Sequence, residues 1–112
     1  MKRILLTFAI GALTAASAYS AEPILGNWKT EDGATSAITQ CGGAYCITVK
    51  TGKYAGKKIG TFSGKGGSYA GRVTDPASNK TYDGVISVAG DTVKMKGCVM
   101  KVFCQSQTWT RL

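Results

Sequence analysis

The chain has 112 residues, with fourteen basic and six acidic side chains, a net charge of +8 and no histidine. The missing histidine excludes a Ser-His-Asp triad and any metal site built on imidazole. The positive charge does not by itself indicate nucleic-acid binding, because no nucleic-acid-binding motif accompanies it.

Residues 1–21 have the three parts of a secretory signal peptide. Two basic residues are followed by an apolar run over residues 4–13 and then by small residues. The apolar run is shorter than the roughly 20 residues that a transmembrane helix needs. Cleavage after Ala18 fits the small-residue rule best, and sites up to Ala21 also fit. The segment predicts a periplasmic or secreted protein whose single domain spans residues 22–112.

Residues 22–112 show no helical period, and apolar residues instead alternate with polar ones, as in half-buried strands. Eight strands are predicted in chain order, at 25–31, 34–41, 45–51, 57–63, 68–75, 79–88, 91–98 and 104–111. Short strands separated by regular turn signals are typical of an all-β sandwich or barrel with up-and-down connections. Glycines inside the predicted strands favour a closed barrel, whose tight bends need them. These are Gly60, Gly71, Gly84 and Gly97.

Four cysteines are present, Cys41, Cys46, Cys98 and Cys104. In an exported chain they suggest two disulfides, with three possible connectivities. The pairs 41–46 and 98–104 are favoured, because each pair flanks a short loop at the end of a predicted hairpin. A four-thiolate zinc site is the alternative, but the spacings are wider than those of a zinc knuckle.

The two ends of the domain resemble lipocalin-like (calycin) barrels. Gly26-Asn27-Trp28 matches the G-x-W of the first strand in that group, and Arg111 matches an arginine near the end of the last strand. The resemblance implies a contact between Trp28 and Arg111. It also implies that the predicted eight-stranded antiparallel up-and-down β-barrel is of lipocalin-like type.

Five stretches together resemble a family of small exported bacterial proteins, the domain-of-unknown-function family 2147. They are Gly26-Asn27-Trp28-Lys29-Thr30, Cys41-Gly42-Gly43-Ala44-Tyr45-Cys46, Gly71-Arg72-Val73-Thr74-Asp75-Pro76 with Asn79-Lys80-Thr81-Tyr82, Asp91-Thr92-Val93-Lys94-Met95-Lys96-Gly97-Cys98, and Gln107-Thr108-Trp109-Thr110-Arg111. The stretch from 50 to 66 departs from typical members, being short and rich in lysine. The resemblance implies a fold and an exported location, and it supplies no activity.

The six acidic residues offer no evident catalytic pair. Glu31, Asp32 and Asp91 lie in predicted turns. Asp75 precedes a proline and is expected to cap a turn through its side chain, and Asp83 is assigned to the outer face. Without histidine or paired carboxylates, we expect no enzyme and no cofactor or metal.

Strand alternation places polar side chains in the interior. If the paired cysteines face outward, Gln40, Gln105, Gln107 and Trp109 face inward. Inward glutamines need partners. They could contact a polar group of a ligand, or they could bond to the neighbouring backbone and tyrosines.

These observations lead to two functional hypotheses for a monomeric barrel. The first is a non-enzymatic binding protein of the bacterial envelope that takes a small, largely apolar ligand at the barrel mouth, in a cavity that short strands should keep small. The second is a solid barrel whose basic outer surface binds a protein or an anionic envelope polymer. For the first hypothesis the candidate ligand contacts are Trp28, Gln40, Tyr45, Tyr82, Gln107, Trp109 and Arg111.

Overall fold

The computed structural model describes residues 22–99 and 103–112, so the predicted signal peptide lies outside the described residues. Eight strands form one closed barrel in which each strand pairs antiparallel with its neighbours in sequence, and β1 pairs with β8. The strands are β1 Gly26–Lys29, β2 Thr35–Cys41, β3 Ala44–Val49, β4 Lys58–Lys65, β5 Ser68–Asp75, β6 Lys80–Ala89, β7 Thr92–Val99 and β8 Phe103–Arg111. The predicted all-β, up-and-down barrel of eight strands is therefore confirmed, with strand ends within about two residues of those expected.

The barrel interior follows the period-2 pattern that the sequence shows. On β7, for example, Val93 and Met95 are buried whereas Lys94 and Lys96 are exposed. A bulge between β3 and β4 interrupts the pattern, because one extra residue of β4, Ile59, lies opposite the step from Ile47 to Thr48. Ile59 is buried as a result.

The strand glycines allow neighbouring main chain and core side chains to approach the strands closely inside the barrel. A Cβ atom added at Gly71 would lie 2.0 Å from the main-chain oxygen of Thr61 on the neighbouring strand. A Cβ added at Gly84 would lie 3.1 Å from the ring of Phe62, which is itself buried. The glycines predicted to serve tight bends thus make room for backbone at one position and for a core ring at another.

The N-terminal segment, residues 22–25, packs against one end of the barrel. The side chain of Ile24 is fully buried, and the carboxylate of Glu22 accepts hydrogen bonds from the Tyr69 hydroxyl at 2.8 Å and the Gly66 N–H at 2.8 Å. Burial raises the pKa of Tyr69, and the bond to Glu22 raises it further. This end, near the β2–β3, β4–β5 and β6–β7 turns, is called the closed end below.

The contact between Trp28 and Arg111 is present and belongs to the closed end. The guanidinium of Arg111 lies 4.2 Å from the centroid of the buried Trp28 ring, and it donates to the carbonyls of Leu25 at 3.0 Å and Pro23 at 2.8 Å. A Cβ atom at Gly26 would lie 2.9 Å from Nη1 of Arg111. The glycine and the tryptophan of the G-x-W therefore act together, one leaving space for the arginine and the other providing the surface it covers.

The cysteines pair as their local spacing favours. Disulfides join Cys41 to Cys46 across the β2–β3 turn, and Cys98 to Cys104 at the end of the β7–β8 hairpin. Each bond links facing or nearly facing positions of neighbouring strands, on the outer side of the barrel.

Candidate functional site

The end opposite the closed end is an open cavity of about 860 Å³. Its rim comes from the β1–β2, β3–β4 and β5–β6 loops, and its walls come from inward-facing residues of the strands. The expectation that short strands leave only a small cavity is wrong. The loops extend the wall beyond the strand ends, and small residues such as Ser36 and Gly97 occupy inward positions.

The lower wall of the cavity is the upper layer of the hydrophobic core. Four buried core residues also line the cavity, namely Val49, Ile59, Met95 and Trp109. Half-buried aromatic rings of Tyr54 and Tyr82 and the side chain of Val73 extend this apolar surface toward the mouth. A wall of this kind suits an apolar ligand body, because burying it removes apolar surface from water.

Polar side chains are set into this apolar wall. Gln105 and Gln107 line the cavity from β8, as strand alternation predicts, and both are solvent-exposed within it. The Trp109 indole N–H donates to Oε1 of Gln107 at 2.8 Å. This bond fixes the orientation of the amide, because an indole nitrogen can only donate and so selects the amide oxygen.

Ser36 of β2 is the most buried polar residue of the wall. It is 1% exposed and lines the cavity. Its main chain is in register with Trp28 on one side and Val49 on the other. Within residues 22–99 and 103–112, the side-chain hydroxyl of Ser36 makes no hydrogen bond. A buried polar group is normally paired, so this hydroxyl is an exception among the buried residues of the wall.

The rim carries charges of both signs. Glu31, Asp32 and Asp75 line the mouth together with Lys53, and Lys50 and Lys57 of the same β3–β4 loop are exposed beside it. The carboxylates also hold the rim in shape: Glu31 accepts from the Thr108 N–H at 2.7 Å, and Asp75 accepts from a turn N–H at 3.0 Å, as its predicted capping role requires. The Thr30 hydroxyl, which hydrogen-bonds to Asp32, lowers the pKa of that carboxyl.

The seven predicted ligand contacts divide between the two ends of the barrel. Tyr82, Gln107 and Trp109 line the cavity. The other four do not line it: Trp28, Gln40, Tyr45 and Arg111 lie toward the closed end. Strand alternation predicts which side of the barrel wall a residue faces, but it does not separate the upper half from the lower half. The ligand-contact role of those four residues is therefore not supported by position.

The four residues at the closed end have other surroundings. Trp28 is buried, and its indole N–H donates to the carbonyl of Ile24 at 2.9 Å. Tyr45 packs edge-on against Tyr69 with ring centroids 5.5 Å apart. Gln40 faces Tyr45 across the β2–β3 hairpin and is exposed. These contacts are structural, and they help to close the barrel.

Several residues that line the cavity were not among the predicted ligand contacts. Ser36 and Met95 sit on strands, and the alternation that identifies Gln107 would also have identified Met95, its cross-strand partner. Tyr54 lies in the β3–β4 loop, where no periodic signal exists. Its ring reaches the cavity because that loop folds back, with the Gly56 N–H donating to the Val49 carbonyl at 2.7 Å.

Metal-ligating side chains do not gather anywhere in the described part of the chain. No group of three or more Cys, Asp or Glu residues there could hold a metal ion. The same residues include no helix with the length and apolar character needed to cross a membrane.

A comparison with protein families identifies the chain. The model of a family described as uncharacterized proteins conserved in bacteria, DUF2147, matches residues 50–111. The chain belongs to this family. The DUF2147 match covers β4 to β8 and most of the cavity wall, and it includes the lysine-rich stretch from 50 to 66. No curated protein and no solved structure matches the chain.

The first two stretches of the family resemblance, around Trp28 and around Cys41, precede the matched range. The barrel suggests the lipocalin-like resemblance through its eight strands and its contact between Trp28 and Arg111. The DUF2147 description assigns no activity, so functional statements about this chain depend on the geometry of the cavity.

Proposed function

We propose that this DUF2147 protein is a non-enzymatic, exported binding protein of the bacterial envelope that holds a small, largely apolar molecule in its open cavity. The cavity of about 860 Å³ is the observation that carries the proposal. Its size lies within the range of roughly 300–1,000 Å³ that is usual for small-molecule sites. Its wall combines buried apolar residues with a few polar groups, which is also usual for such sites.

Export is part of the proposal, and two features support it. Residues 1–21 have the charged, apolar and small-residue parts of a secretory signal peptide. Both cysteine pairs form disulfides, which persist mainly in oxidising compartments such as the periplasm. The ligand would therefore be met outside the cytoplasm.

A binding role without catalysis fits the positions of the ionisable groups. Among the described residues, the carboxylates nearest the cavity are on its rim, where they accept hydrogen bonds from turn and strand backbone. The side chains that reach deeper are apolar, amide, hydroxyl or phenol groups. Groups of this kind orient a ligand more readily than they transfer protons near neutral pH.

Binding can be measured with a fluorescent apolar dye, N-phenyl-1-naphthylamine, added to protein purified from its own periplasm. The test variant Val73→Trp replaces a small aliphatic side chain of the cavity wall with a bulky indole ring. The control Val85→Trp places the same indole ring on the outer face, where Val85 is 53% exposed. We expect Val73→Trp to weaken dye binding by about tenfold or more, equivalent to about 1.4 kcal/mol. Val85→Trp should leave binding unchanged.

Native mass spectrometry of the same periplasmic protein provides the complementary test. A small molecule that co-purifies in stoichiometric amount, and that is absent from Val73→Trp, would identify the ligand class. Failure of the wild-type protein to bind the dye, or equal loss of binding in both variants, would reject the proposal.

The second candidate function is an interaction module that binds a protein or an anionic envelope polymer through the outer wall. Lys94 and Lys96 support it, because both are exposed on the outer face of β7. That role predicts binding that weakens strongly with added salt. It does not require the cavity.

A further inference from the structure

We propose that the open end of the barrel docks on a lipid bilayer rich in anionic phospholipid, with the ring of Phe103 inserted among the headgroups and the nearby lysines paired with their charges. This inference goes beyond the proposed function, because docking requires no molecule in the cavity. The cavity mouth would then face the membrane, so that a largely apolar ligand passes between the two without crossing bulk water.

The first argument is an exposed aromatic ring at the open end. Phe103 begins β8 and faces Val99 at the end of β7, so it lies at the same end of the barrel as the cavity mouth. Its side chain is 71% exposed. Phe103, Val99 and Lys80 line a groove that adjoins the cavity, since Tyr82 and Gln105 line both. An exposed ring beside a lysine is typical of side chains that anchor a protein at a membrane surface.

The second argument is that positive charge gathers at this same end. Exposed lysines occupy the open-end loops and the strand ends beside them, namely Lys29, Lys50, Lys53, Lys57, Lys58 and Lys80. These six cations against the three carboxylates of Glu31, Asp32 and Asp75 leave a charge of +3. At the closed end two cations balance two carboxylates, Lys65 and Arg111 against Glu22 and Asp91. Lys101, between β7 and β8, lies outside the described residues and is not counted.

The third argument is that these lysines are not used within the protein. The three carboxylates and Lys53 line the cavity, whereas the other five lysines lie outside it. Neither of the two ion pairs in the described part of the chain involves a lysine, since they join Arg72 to Asp83 and Arg111 to Asp91. The ammonium groups around the mouth are therefore able to reach lipid phosphates on their flexible side chains.

Together these features favour a bilayer over other anionic partners. The lysines are spread over β1, the β3–β4 connection and β6, so they do not converge on one point as a site for a single small anion would. A bilayer offers many charges, and each lysine near an anionic surface strengthens binding about fivefold. It also offers an apolar layer for Phe103. A soluble polyanion offers charge alone and would leave the ring in water.

The experiment is co-sedimentation of the mature protein, with both disulfides intact, with large lipid vesicles. Vesicles of phosphatidylglycerol and phosphatidylcholine in equal parts are compared with vesicles of phosphatidylcholine alone. We expect binding to the anionic vesicles to be at least about tenfold stronger, because several lysines contribute. Added salt should weaken this binding, because salt screens the charges of the lysines and the headgroups.

Apolar variants test the anchor. Phe103→Ser should weaken binding to the anionic vesicles by about fivefold or more, because it removes the inserted ring, and Phe103→Leu should keep most of the binding. Val85→Ser and Leu112→Ser are the matched controls. They also remove exposed apolar side chains, but from the middle of β6 and from the residue after β8, and they should leave binding unchanged. Near-ultraviolet circular dichroism confirms that each variant keeps the fold.

Charge variants test the orientation. Lys50→Gln combined with Lys57→Gln removes two charges from the β3–β4 loop and should weaken binding by more than about tenfold. Lys94→Gln combined with Lys96→Gln removes the same charge from the outer face of β7, away from the open end. This control should weaken binding by less than about threefold, because those lysines are held farther from the headgroups.

Three results would overturn the inference. The first is no binding to the anionic vesicles, or equal binding to both kinds. The second is binding that Phe103→Ser leaves unchanged, which would indicate a purely electrostatic contact. The third is a greater loss in the Lys94 and Lys96 variant than in the Lys50 and Lys57 variant, which would assign binding to the outer wall. Dye binding measured without vesicles is independent of all three, so the proposed function and membrane docking fail separately.

Discussion

Replacing Arg111 with methionine should destabilise the barrel strongly, although the side chain is only partly buried. Its guanidinium covers the ring of Trp28 at 4.2 Å and donates to the carbonyls of Leu25 and Pro23 at 3.0 and 2.8 Å. Methionine keeps an unbranched apolar chain against the indole ring, so the variant removes mainly the charge and the two hydrogen bonds.

The expected loss can be worked out from these contacts. Each hydrogen bond from the charged group is taken at about 1 kcal/mol, below the usual range for charged donors because both carbonyls lie near solvent. The cation over the indole ring contributes about 1 kcal/mol. The total is about 3 kcal/mol, which for a domain of this size lowers the melting temperature by more than about 10 °C. The ion pair with Asp91 adds little, because Asp91 is exposed.

The assay is urea unfolding with the disulfides intact, followed by tryptophan fluorescence. Arg72→Met is the matched control, because Arg72 pairs with Asp83 at 3.2 Å but both side chains are largely exposed. The control should lose less than about 0.5 kcal/mol. The reasoning would be refuted by a loss at Arg111 as small as that of the control, or by a control that loses as much as Arg111→Met.

Three further predictions concern other parts of the barrel. Gly71→Ala should prevent folding or lower the free energy of unfolding by more than about 3 kcal/mol, because the added Cβ would overlap a neighbouring main-chain oxygen. Gly43→Ala is the control, since a Cβ there would lie in open space, and it should leave the thermal melting temperature nearly unchanged. Replacing both Cys98 and Cys104 with alanine should lower the free energy of unfolding by about 2 kcal/mol, since the closed loop is short; no change in urea unfolding would contradict this. The raised pKa of Tyr69 means that the native state keeps its proton longer than the unfolded state. Stability should therefore fall as the pH rises above about 10, and Tyr69→Phe should make that fall shallower.

The architecture was predictable because its signals are local and repeat along the chain. Alternation on β7 and β8 and the turn residues between strands give the strand positions directly, and the short spacing from Cys98 to Cys104 favours the pairing that is found. The contact between Trp28 and Arg111 came from a family resemblance. Neither composition nor alternation predicts that two residues at opposite ends of the sequence of a domain are in contact.

The candidate site was predictable only in part. Alternation along a strand indicates whether a residue faces the interior, but it does not indicate the height of that residue, meaning its position along the barrel axis. Gln107 and Tyr45 both face the interior, yet only Gln107 reaches the cavity. Height depends on strand stagger, on the bulge that places Ile59 in the wall, and on loop conformation, all of which are set by long-range pairing. Tyr54 illustrates the last of these, since its loop carries no strand pattern.

The pairing of β1 with β8 also constrains when the barrel can form during synthesis. Only two residue pairs join these strands, Trp28 with Arg111 and Lys29 with Thr110, and they connect positions about eighty residues apart. The closed end receives its arginine only after Arg111 has left the ribosome, and the barrel cannot close before then. Late closure of this kind would suit the export proposed above, because a chain that has not yet closed can be threaded through a translocation channel before it folds.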